Sequence, residues 1–292
     1  MDGREEEVLN SDTLTRVLLD WSPNVEFEPG ITDQIDGEES WIGDEPFSVF
    51  LFDDCEKPLK SLRKETGLLF LNHEALEDRW LALFQSTTID IHGDTSFDWE
   101  DFTPHACPLN SILIVDRYAY HQLASRSEFA RNLGGLLEAL LPNQKPSHSI
   151  DVSIFTDLQK AIDKDGREVS NLFETARDFL DERFGNLNIR LRLLGLQSHD
   201  DDHHEDRLLF TNYGFFLSGD SFDYIQGEGN KDTLVSYLPL KGHEPEAISR
   251  LRRFSMIDFE PLEGVDRNGD AIRLAQGDPG NRLLDWIQNH IG

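Results

Sequence analysis

Cys55 and Cys107 are the only cysteines in the 292 residues. That excludes a disulfide framework and a thiolate metal site, and both read as small buried residues. Bases are scarce too: 27 Lys and Arg face 56 Asp and Glu, a formal charge of −29. A field of that sign repels phosphate backbones and anionic lipid, so neither general nucleic-acid binding nor electrostatic membrane docking is expected. A small local basic pocket is compatible with it. Two readings of the acid excess stay open. One is a surface charged for solubility or for a salt-rich cytoplasm. The other is an acidic face that meets a basic protein or mimics nucleic acid. No stretch approaches the roughly eighteen apolar residues of a transmembrane helix. The opening MDGREEEVLN lacks the basic start and apolar stretch of a secretory leader. A soluble cytoplasmic protein is expected. Gly-x-Ser-x-Gly elbow, Walker loop and dinucleotide fingerprint are all missing.

What is present suffices for a core. The chain is 38% hydrophobic and 10% aromatic, and its length suits one large or two modest domains. Residues 1–45 read as an acidic arm. Leu14, Val17, Leu18, Leu19 and Trp21 suit one amphipathic helix there, with Ser11 or Asp12 as N-cap. Residues 46–103 read as a small α+β region. Its β-rich runs are Phe47 to Phe52 and Gly67 to Leu71, followed by a helical stretch through Leu76, Trp80, Leu81 and Leu83 and a strand from Ser86 to His92. Pro104 to Asn110, with two prolines, reads as a linker.

Residues 104–292 form the main expected domain. Ile112 to Val115 is wholly apolar, as in a strand covered on both faces. A helix follows with Ser127 as N-cap and an apolar stripe from Phe129 to Leu141. Ile150 to Phe155 is the next strand, and Glu168 to Arg183 the next helix. Leu187 to Leu194 alternates, which predicts a half-exposed strand. The order β-α-β-α-β predicts an α/β sheet flanked by helices. A hairpin (Arg207 to Thr211, Phe215 to Ser218) turns through Asn212-Tyr213-Gly214. A last strand, Leu234 to Leu240, and helices from about Glu244 and Asn281 close the domain, with Asp278 or Asn281 capping the second.

The most informative residues are His204-Glu-Asp-Arg-Leu-Leu-Phe-Thr-Asn-Tyr-Gly-Phe-Phe-Leu-Ser-Gly-Asp-Ser-Phe-Asp-Tyr-Ile225. A His before Asp206-Arg207, an apolar strand, Asn212-x-Gly214, a second strand, then Gly219-x-Ser221 and Asp223-Tyr resembles the phospholipase D superfamily hairpin. More specifically, it resembles the phospholipase D-like C-terminal domain of MIT-domain proteins. Ile114-Val-Asp-Arg-Tyr118 and Val152-Ser-Ile-Phe-Thr-Asp157 are similar to that family's opening strands. The resemblance covers residues 112 to 255. It implies a phospholipase D-like mixed sheet flanked by helices.

The family's chemistry needs His-x-Lys, used twice, with one His as nucleophile, another as acid and lysines clamping phosphoryl oxygens. Here Asp206 stands at the lysine position, and the chain holds one such motif. A carboxylate there repels phosphate. The expected function is therefore a non-catalytic interaction module: an adaptor or regulatory subunit that meets protein partners through its acidic surface, with a homodimer also open. By fold analogy such a module suits a multi-component system such as prokaryotic anti-phage defence. The rival readings are a phosphodiesterase or nuclease using His204 in a dimeric site, and a lipid-headgroup adaptor. Arg207, with Arg117, Arg190 and Arg192 in the same sheet, is the expected anion pocket, since guanidinium forks match phosphate and carboxylate oxygens. An ion-paired, structural Asp206-Arg207 is the plainer alternative. His199, His203 and His204 with the acids of Ser198 to Asp206 suggest a cation site, but a loop without a distal ligand reads better as solvated. No metal or other cofactor is expected. Asp266-Arg-Asn-Gly-Asp270 resembles part of a calcium loop. Ala271 and Gly277 replace its Gly and its bidentate Glu, so a turn is expected.

Overall fold

A computed structural model describes residues 47, 49–51, 59–60, 63–64, 66–72, 79–93, 97–141, 148–196, 207–226, 229–257 and 263–291. The expected N-terminal arm, Cys55, and the loop holding His199, His203, His204 and Asp206 lie outside the described residues.

An eight-stranded mixed sheet organises the chain. Its parallel centre is β4 (Ser111–Val115), β5 (Ser149–Thr156) and β6 (Asn188–Gly195). Beyond β4 run β7 (Leu208–Phe210), β8 (Gly214–Ser218), β11 (Thr233–Pro239) and β3 (Thr87–Ile91), each antiparallel to its neighbour. Strand β14 (Ala275–Gly277) closes the other edge against β6. The mixed α/β class expected from the strand and helix order is therefore present. Three two-residue or three-residue pairs lie apart from it: β1 (Val49–Leu51) with β2 (Leu69–Leu71), β9 (Ile225–Gln226) with β10 (Gly229–Asn230), and β12 (Glu263–Val265) with β13 (Ala271–Arg273).

Helices cover both faces. Ile112, Ile114, Ile150, Val152 and Ile154 share one side of the parallel strands by the two-residue period and are all buried. Here α2 (Ala119–Leu123), α5 (Leu158–Asp165) and α6 (Val169–Phe184) pack against β5 and β6. The other side lies under α7 (Glu244–Ser255) and α8 (Arg282–Ile291). The half-exposed expectation for β6 holds only at its start, where Asn188 is exposed and Ile189 and Arg190 are partly so; residues 191–195 are all buried. Asn281 caps α8: its Oδ1 accepts from Leu283 N at 3.1 Å.

Between β4 and β5, α3 (Arg126–Phe129) and α4 (Gly135–Leu140) are joined by a π-helical turn, Ala130–Gly134. Ser125, not Ser127, precedes this helix. A Cβ at Gly134 or Gly135 would overlap Phe179 or Trp99, so the glycines let the helix approach both.

Two expectations about organisation change. Pro104 to Asn110 is not a linker. Pro104 lies inside a 3-10 helix, Trp99–His105, whose Trp99, Phe102 and His105 are buried, and Leu109 and Asn110 are buried too. The boundary expected near 104 also fails to separate the strands, because β3 is an edge of the main sheet. A second apolar cluster bridges the same boundary. It joins Val49, Leu69, Leu71, Ala82 and Leu83 to Cys107 and Tyr213. In that cluster the Tyr213 hydroxyl accepts from Leu69 N at 2.7 Å. α1 (Trp80–Phe84) belongs to the same region.

Candidate functional site

The parallel strands all end on one edge, where β7 begins and β8 ends. In α/β sheets ligands gather outside such carboxyl ends. Asp116, Arg117 and Tyr118 leave β4 there, and Asp157 leaves β5.

Asp116 is fully buried. Its Oδ1 accepts from Tyr118 N at 2.9 Å, and its Oδ2 accepts from Ser221 Oγ at 2.6 Å and Phe222 N at 2.9 Å. Burial raises its pKa above the ordinary 3.8, and these bonds pull it partly back. Ser221 is thus a strut between β4 and the segment after β8. Asp223 binds Lys231 at 2.6 Å, and Asp220 lies 3.6 Å from the same ammonium. Gly219 N donates to Leu234 O at 3.0 Å, keeping β8 on β11.

The other end of the motif lies on the opposite edge. Asn212 is buried; its Oδ1 accepts from Asn110 N at 3.0 Å and Ser111 N at 3.2 Å, and its Nδ2 donates to Asn110 Oδ1 at 2.8 Å. A Cβ at Gly214 would overlap the Tyr237 ring and hydroxyl. Asn212 and Gly214 therefore fasten the hairpin to the start of β4. The motif that is contiguous in sequence is divided between two edges.

The four expected arginines divide likewise. Arg190 and Arg192 lie mid-strand beneath α8. Arg190 Nε and Nη2 both reach Asp151 Oδ1 at 2.6 Å. Arg282 reaches the same oxygen at 3.1 Å. Arg192 Nε donates to Ser153 Oγ and Nη1 to Pro279 O, each at 2.7 Å. Burial lowers the Arg192 pKa to about 10, with Asp285 and Asp151 opposing. Arg192 is buried and Arg190 partly so, and both are spent on neighbours within the fold rather than joining an anion pocket. Arg117 and Arg207 do share the carboxyl edge. Arg117 Nε lies 3.3 Å from Asp157 Oδ2.

Arg207 has a different setting. Its Cζ stands 5.8 Å from the centroid of Tyr118, and Lys160 Nζ stands 4.8 Å from the same ring. Both distances suit cation–π attraction. Arg207 Nη1 donates to Gly219 O at 3.5 Å, a weak bond. Its Nε is buried with no acceptor among the described residues. Sequence reading missed Lys160, which follows β5 in the first turn of α5. The signal was available: a cation just past a parallel strand belongs to this edge.

Among the described residues no three His, Cys, Asp or Glu side chains group as metal ligands. Cys107 is buried, and burial raises its thiol pKa to about 12, as a packing residue requires. Asp266 makes the expected turn: its Oδ1 accepts from Asn268 N and Asp270 N at 2.8 Å, with Gly269 left-handed at φ 85°. No helix among the described residues is long and apolar enough to cross a membrane. No protein-family model matches the chain, and no curated protein matches it in sequence.

Proposed function

We propose that this chain is a non-catalytic, phospholipase D-like interaction module, an adaptor or regulatory subunit that meets its protein partner at the carboxyl edge of the parallel strands. The observation that carries this reading is how the motif's polar groups are used. Ser221 braces Asp116, Asp223 holds Lys231, and Asn212 clasps Asn110. Each of these groups bonds to its own fold instead of standing free for a ligand. Asp206 at the lysine position supports the same reading, because a carboxylate there opposes phosphate clamping. Tyr118, with Arg207 and Lys160 on its ring, supplies an aromatic and cationic contact point of the kind enriched in interfaces.

A screen of generic phosphodiesters and nucleic acids, run on the wild type and on His204→Ala, tests this. No turnover that depends on His204 is expected. Turnover lost in His204→Ala would replace the adaptor reading with an enzyme.

A further inference from the structure

At the opposite end of the sheet, before β4 and β5 begin, lies a cleft of about 1020 Å³. Its charge runs against that of the chain. Lys60, Arg63, Lys64 and Arg79 line it against three carboxylates, Asp98, Glu100 and Glu138. Glu138 is held by Arg183 at 2.7 Å, and Asp98 Oδ1 accepts from Glu100 N at 3.1 Å as an N-cap. Among the described residues the cleft carries four cations against three carboxylates, whereas the chain as a whole has about two acids per base.

The fold builds this cluster. Residues 59–60, 63–64 and 66 are helical, and Gly67 N closes the turn on Arg63 O at 2.9 Å. Lys60 and Lys64 are both helical and exposed. Gly67 is left-handed at φ 69°, and a Cβ there would overlap His148 and Leu109 O. Only glycine lets the cationic turn close against the strand starts. Across the cleft, Arg79 Nη1 is anchored to Ala106 O at 2.6 Å. Leu140 and Leu141 add an apolar wall.

We propose that this cleft binds a small, multiply charged phosphate ester. Several cations lining one cleft match phosphoryl oxygens, the apolar wall suits an organic body, and the volume suits a nucleotide-sized ligand. The field of −29 charges disfavours a nucleic-acid strand, whose phosphates extend beyond the cleft. The site lies apart from Arg207 and does not depend on the adaptor reading.

The test is calorimetric titration of the full chain at low salt with pyrophosphate, adenosine triphosphate and a single-stranded oligonucleotide. Lys60 and Lys64 are exposed, so a Lys60→Glu/Lys64→Glu double variant should keep the wild-type circular dichroism and Tm. Pyrophosphate or the triphosphate should bind the wild type, and about tenfold or more weakly the double variant, from the loss of charge-assisted contacts. Arg207→Ala should bind as the wild type does. Flat wild-type titrations, equal binding by the double variant, or an oligonucleotide binding more tightly than both small probes would each overturn the proposal. Tighter triphosphate than pyrophosphate would support a role for the apolar wall, and equal affinity would confine recognition to the phosphoryl groups.

Discussion

Ser221 Oγ donates to Asp116 Oδ2 at 2.6 Å across 105 positions of sequence. That bond joins the end of the central strand β4 to the segment after β8, both at the carboxyl edge. Removing the hydroxyl leaves a buried carboxylate oxygen with Phe222 N as its remaining partner. Ser221→Ala should therefore cost about 1–3 kcal/mol, read as a lower urea midpoint at unchanged m-value. Because the lost bond favours the ionised form, the Asp116 pKa should rise further.

Asp116 also predicts a pH dependence. Its folded pKa is raised, so between 3.8 and that higher value the folded state holds a proton that the unfolded chain has released. Its contribution to stability is fullest below 3.8 and is lost as pH climbs through the raised value. Asp116→Ala should lose this component. Comparing unfolding free energy against pH in variant and wild type measures it; parallel curves would count against it.

His105 predicts the opposite sign. The ring is buried, stacks on Tyr237 at 4.1 Å and lies 3.0 Å from Thr87 Oγ1. Burial lowers its pKa from 6.5 to about 4. Between those values the unfolded chain gains a proton that the folded state refuses. The stability is present above 6.5 and is lost as pH falls toward 4. His105→Gln should flatten the acid side of the stability curve in that window, as pH-resolved chemical denaturation would show.

The Asp151 cluster separates structure from binding. Asp151 is fully buried and serves Arg190 and Arg282 together. Asp151→Ala leaves two partly buried guanidinium groups without their shared carboxylate and should cost about 1–3 kcal/mol. Arg190→Ala leaves Asp151 with Arg282, so a smaller loss is expected. Urea denaturation of both variants ranks them, and a reversed order would refute this account of the network.

Gly214 should tolerate no side chain. Gly214→Ala drives a methyl into the Tyr237 ring, whose hydroxyl donates to Ala82 O. An overpacking loss of about 1–3 kcal/mol is expected, read as a lower Tm.

Much of the secondary structure was legible locally. The apolar run Ile112 to Val115 read as a strand covered on both faces, and it is one. The apolar stripe of Val169–Phe184 marked a helix, and Asn281 was a recognisable cap. These signals reflect burial period and turn chemistry, which neighbouring residues carry among themselves.

The partners could not be read that way. Nothing near Arg190 announces Asp151, 39 positions away, or α8 lying over both. The alternation of β6 looked half-exposed along its length because a buried, hydrogen-bonded arginine such as Arg192 leaves the same residue pattern as a wet face. Pro104 looked like punctuation, yet it sits inside a 3-10 helix that buries its own Trp99, Phe102 and His105. The contiguous motif from Arg207 to Asp223 looked like one site, yet the direction of the hairpin sends its two ends to opposite edges. Sequence by itself determined the apolar strands, the helical stripes, the turn glycines and the acid excess. Tertiary structure alone decided which charges meet, because pairing depends on strand order and on which face a side chain takes, and both are set by contacts between distant residues.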